Sequence, residues 1–106
     1  MGRLAYGTDG HHYEIDDATL RHVRAATLAK LRRREPFALT LHGATPGGMV
    51  ETLWVQPSIP LRFVFESADA GELDRERLEK LVAAANSAGG MHIELEPSAP
   101  ALAIAV

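Results

Sequence analysis

The chain has 106 residues, 46% of them apolar and 24% charged, which is one domain's worth of material with the composition of a globular protein in water. It contains no cysteine, which excludes disulfides, thiolate-bound zinc, iron–sulfur clusters and thiol nucleophiles. The formal net charge of −3 is unevenly spread: six of the eleven Lys and Arg residues fall between Arg21 and Arg34, and the second half is acidic.

The opening residues, MGRLAYGTDG, have no apolar core of signal-peptide length, and Tyr6 stands where N-myristoylation needs Ser or Thr. No stretch approaches the ~20 apolar residues of a membrane span, so a cytoplasmic protein without membrane contact is expected. The first predicted element is a hairpin, RLAY and HHYEI joined at Thr8-Asp9-Gly10. A helix follows, with Asp16 as N-cap, Ile15 stapled onto Leu20, and Pro36 as its stop. Its apolar face reads as Leu20, Val23, Thr27, Leu28 and Leu31, interrupted by Arg24, whose stem is expected to lie along the core; His22 falls on the outer side.

Three strands come next. Phe37, Leu39 and Leu41 share one side of the first, Leu53 and Val55 of the second, and Leu61, Phe63 and Phe65 of the third. Gly47-Gly48 reads as a turn. The second helix repeats the first one's signature: Asp74 caps, Leu73 staples onto Leu78, Leu81, Val82 and Ala85 continue the stripe, and Gly89-Gly90 ends it. Met91, Ile93 and Leu95 make the last strand. The domain is expected over residues 1–97, with residues 98–106 as an apolar tail whose run Ala101 to Val106 is preceded by Pro97 and Pro100. The order ββαβββαβ, with one apolar face per element, predicts an α+β two-layer sandwich: a mostly antiparallel sheet carrying both helices on one face.

Such a packing leaves the other sheet face uncovered. Alternation assigns to it Thr40 and His42, then Thr52, Trp54 and Gln56, then Arg62, Val64 and Glu66, and finally His92, Glu94 and Glu96. A three-residue turn at Pro57-Ser58-Ile59 would set Trp54 across from Arg62, within cation–π reach. His42 and His92 meet near Glu94 only if their strands are neighbours, and their spacing matches no metal motif. No cofactor and no metal ligand is therefore assigned, and no catalytic residue. There is no Gly-x-Ser-x-Gly, and neither Gly-Gly pair opens a helix as a phosphate loop does.

The segments DDATLRHV…KLRRREPF, LWVQPSIPLRFVF and ANSAGGMHIELEP resemble a family of short actinobacterial proteins built on an uncharacterised domain and often labelled ATP-dependent DNA ligase. The resemblance runs from about Met1 to Pro97. Gln56 departs from the histidine common at that place, and the apolar tail is a second departure. What the label implies is adenylyl transfer from a nucleophilic lysine in Lys-x-Asp-Gly. The nearest match here is Gly7-Thr8-Asp9-Gly10, with glycine in the lysine's place, and neither Lys30 nor Lys80 precedes an Asp-Gly.

The leading expectation is thus a non-catalytic domain that forms a homodimer through its open sheet face, using Trp54, Arg62, His42, Thr40, Val64 and His92. The alternative is a nucleic-acid-binding accessory to a ligase or repair enzyme, with Arg21, Arg24, Arg32, Arg33 and Arg34 on phosphates. A third is a small metal- or ligand-binding protein around His42 and His92.

Overall fold

The computed structural model describes residues 1–43, 50–68 and 71–95. The Gly47-Gly48 turn, Glu96 and the tail over 98–106 lie outside the described residues. In chain order the elements are β1 (Gly2–Tyr6), β2 (His12–Ile15), α1 (Asp17–Arg32), β3 (Phe37–His42), β4 (Val50–Val55), β5 (Leu61–Val64), α2 (Arg75–Ala85) and β6 (Met91–Glu94). The α+β class and the ββαβββαβ order are those read from the sequence.

The strands divide between two three-stranded sheets, β2-β1-β5 and β4-β3-β6. All pairings are antiparallel except that of β3 with β6. The expected β4–β5 hairpin does not form, so Trp54 is not across from Arg62: Trp54 lies opposite Ala38, and Arg62 opposite Ala5. The cause is the connection between them. Pro57 and Pro60 have no N–H to give to a ladder. The chain turns through Ile59 N–H to Gln56 carbonyl (3.2 Å), and the Pro60 carbonyl accepts from Gly7 N–H at 2.9 Å. That bond delivers β5 to the free edge of β1.

The inward faces of both sheets and the buried stripe of α1 close around one core. Leu4 and Ile15 come from the first sheet, Leu39, Leu41, Val55 and Met91 from the second, and Leu20, Val23 and Ala26 from α1. Each fully buried aliphatic side chain contributes roughly 1.5–3 kcal/mol. Asp16 caps α1 through Thr19 N–H at 3.0 Å, and Ile15 and Leu20 are both fully buried, as a staple requires. The stripe is rotated from the expected one: it runs through Leu20, Val23, Ala26, Thr27 and Lys30, leaving Leu28 and Arg24 exposed.

His22, expected outside, is buried between the helices. Its Nδ1 donates to the Ala18 carbonyl (2.7 Å) and its Nε2 accepts from Asp74 N–H at the start of α2 (2.8 Å). At the other end of α1, the buried Lys30 ammonium pairs with Glu35 at 3.0 Å and donates to Asn86, the C-cap of α2. A buried ammonium is tolerated only with such partners. The Asn86 cap ends α2 at Ala85, short of the expected Gly89-Gly90 stop. Among the described residues, no helix is long and apolar enough to cross a membrane.

Candidate interaction face

α2 and the core lie against the inward side of β4-β3-β6, with α1 packed on α2 and β1, and the outward side of that sheet has no cover among the described residues. Register places Trp54 beside Ala38, then a row of Thr52, Thr40 and His92, then a row of Val50, His42 and Glu94. Trp54 is 53% exposed and Val50 56%. Thr40 is buried by its neighbours, its hydroxyl 2.9 Å from that of Thr52. Glu94 is the only formally charged side chain on these rows.

Trp54 is fixed from behind: the Tyr6 hydroxyl, arriving from the other sheet, donates to the Trp54 carbonyl at 2.6 Å. Tyr13 makes a second tie between the sheets. Burial is the larger cause that pushes its hydroxyl well above the usual tyrosine range; the hydrogen bond to the Glu51 carboxylate on β4 adds to it.

His42 and His92 do converge. Parallel pairing sets Thr40 beside His92 and His42 beside Glu94, so the two imidazoles meet diagonally, His42 Nε2 2.9 Å from His92 Nδ1. His92 Nε2 lies 3.2 Å from the Gly89 carbonyl oxygen. No group of three or more His, Cys, Asp or Glu side chains that would hold a metal occurs among the described residues. A groove of about 240 Å³ lies on the other sheet, between Arg3, Glu14 and Glu66, remote from this pair.

The remaining expected residues are scattered. Arg62 and Val64 belong to the outward side of β2-β1-β5, with Arg3 opposite Val64. Arg21 lies over the Phe65 ring, 4.9 Å from its centre. Arg24, Arg32, Arg33 and Arg34 are exposed, and Arg34 takes a left-handed backbone (φ 59°) just past the end of α1. Shared outward parity was the one sequence signal for the histidine pair. Nothing local pointed to Tyr6 or His22, whose partners lie 48 and 52 residues away.

The fold and this face define a small α+β domain with one sheet covered on a single side. The chain belongs to the family of the domain of unknown function DUF7882, whose model matches residues 1–96. No curated protein and no solved structure matches it.

Proposed function

We propose that the domain is a non-catalytic assembly module of the cytosol that pairs with a second copy of itself through the outward face of β4-β3-β6. The observation that supports this is the contrast between two outward faces. That of β2-β1-β5 carries Arg3, Glu14 and Arg62, with Glu14 directly opposite Arg3. That of β4-β3-β6 carries Trp54, Val50, two threonines and two histidines, with Glu94 at its edge. A half-exposed tryptophan among neutral neighbours has the composition of an interface centre, where aromatics are enriched and charge depleted. A face low in formal charge is also suited to meet its own copy, since no like charges are brought together at the centre.

Its size sets the strength. Three strands about 4.8 Å apart and about five residues long, at about 3.3 Å each, span only a few hundred Å². A standard stable interface buries about 800 Å² per partner, so association through this face alone is weak, in the micromolar range or above. Trp54 is the chain's single tryptophan, so its fluorescence reports on the face directly. Sedimentation velocity and emission spectra over a dilution series should show dimer and a blue-shifted Trp54 at high concentration, both lost in Trp54→Ala. A monomer with unchanged emission up to millimolar concentration refutes the reading.

A second reading is favoured by Arg24, Arg32, Arg33 and Arg34, which are exposed and have no acidic partner among the described residues. They fit an accessory that lies on nucleic acid beside a ligase, in keeping with the label attached to the actinobacterial proteins this chain resembles. Cations are also stabilising at a helix C-terminus without any ligand. Fluorescence anisotropy with nicked duplex DNA separates the two: a phosphate-binding surface loses orders of magnitude in affinity between about 50 and 200 mM salt.

A further inference from the structure

We infer that His42 and His92 form half of a site for a divalent transition metal of the zinc type, the other half coming from the same pair in a second copy; this rests on the face-to-face pairing proposed above. The hydrogen bonds fix the chemistry of the pair. A carbonyl oxygen only accepts, so His92 Nε2 carries the hydrogen that it gives to Gly89. In the neutral ring that leaves His92 Nδ1 as a lone pair, and the hydrogen in the 2.9 Å contact sits on His42 Nε2. A single proton is therefore held between two ring nitrogens at the surface.

A metal ion takes the place of that proton. Zinc–nitrogen bonds are about 2.0–2.1 Å, so two nitrogens on one ion lie about 2.9–3.4 Å apart for bond angles from about 90° to tetrahedral. The observed separation is at the short end of that range; the hydrogen bond aims the two nitrogens at each other, so both rings turn for their lone pairs to meet at an ion beside the line joining them. On binding, His42 gives up its Nε2 proton to solvent and takes one at Nδ1, so the ring stays neutral. The Gly89 carbonyl is the kind of outer partner that ligating histidines characteristically have, and it fixes the tautomer. Glu94, next to His42 in register, adds a negative charge that favours a cation.

Two nitrogens are not enough for a structural zinc, which takes four ligands, and the described residues hold no third donor. A two-fold axis through the open face supplies the missing pair from the partner, completing a four-nitrogen site between the sheets. The metal would then strengthen an interface too small to be tight by itself.

The test is zinc titration of the metal-free full chain, read by calorimetry and by sedimentation velocity with and without EDTA. His42→Gln and His92→Gln are the variants, and His12→Gln, an exposed histidine on the other sheet, is the control. Circular dichroism checks that each is folded. The expected result is one zinc per two chains, a dimer dissociation constant lowered at least tenfold by zinc, and loss of that gain in either variant but not in the control. A dimer indifferent to zinc and EDTA overturns the metal site while leaving the open-face pairing intact. Zinc bound without dimerisation, or a zinc-driven dimer that survives both substitutions, also overturns it. A chain monomeric under every condition overturns both readings.

Discussion

The two sheets are built alike inside and differently outside. Each has three short strands, and each sends a row of aliphatic and aromatic side chains into the shared core. Outward, β2-β1-β5 sets Glu14 directly opposite Arg3 and carries Arg62 beside Ala5. The outward side of β4-β3-β6 exposes Trp54 and Val50 instead. Large side chains cannot be excluded from a protein surface altogether, so a single exposed one means little. Two on one strand, on a face whose only formal charge among the described residues is Glu94, are a concentration that the sister sheet lacks. That contrast is what supports the proposed pairing through this face.

The comparison can be broken first at the glycines. A Cβ at Gly90, which leads into β6 with φ +74°, would meet the Ala38 carbonyl oxygen at 2.5 Å, inside the β4-β3-β6 sheet. Gly10, in the β1–β2 hairpin, has a similar φ of +80° and nothing within 4 Å. Gly90→Ala should therefore cost about 3 kcal/mol in urea unfolding, from strain and clash together. Gly10→Ala should cost about 1 kcal/mol, from the left-handed conformation alone. Equal costs would mean that Ala38 gives way and that the β3–β6 contact is loose.

Next comes the face itself. Trp54→Ala should weaken self-association by about 2 kcal/mol or more, as central aromatics do, whereas Arg62→Ala on the other sheet should leave it unchanged. Sedimentation equilibrium of the two variants decides this, and a larger effect from Arg62 would move the interface to the charged sheet.

The ties between the sheets give smaller effects. Tyr13 is protonated in the folded chain at pH values where the unfolded chain, titrating near 10.0, loses its proton. The folded state then binds more protons, so stability is unaffected below about pH 10 and falls above it. The slope approaches about 1.4 kcal/mol per pH unit for this one group. Urea midpoints at pH 9 and 11, with Tyr13→Phe as the reference, measure it; identical slopes in the two proteins refute the assignment. Smallest of all, Tyr6→Phe removes the hydroxyl that holds the Trp54 carbonyl and should cost about 1 kcal/mol. The same change should alter the Trp54 emission if the tie positions that residue.

Much of this was legible in the chain. Asp16 and Asp74 announce their helices because a side-chain oxygen four residues or fewer from its partner needs no knowledge of the fold. Strand parity sorted Leu39, Leu53 and Met91 inward and Thr40, Trp54 and His92 outward for the same local reason. Parity could not tell which strands adjoin. Arg62 and Val64 share the alternation of Trp54 yet belong to another sheet, because one backbone bond from Gly7 to Pro60 carries β5 to β1. The placement of His22 failed similarly: helical periodicity gives an angle, and only the approach of α2 made that angle an inside.

By itself, then, the sequence determined the eight elements, their order, the N-caps of both helices and the side of each strand that seeks the core, since these follow from backbone sterics and from short-range periods. The tertiary structure decided that six strands make two sheets, that Trp54 stands clear of Arg62, and that the His42 and His92 rings meet at 2.9 Å. Those outcomes depend on contacts between residues some fifty positions apart, whose closure is settled by the packing of the whole core rather than by any neighbour in the chain.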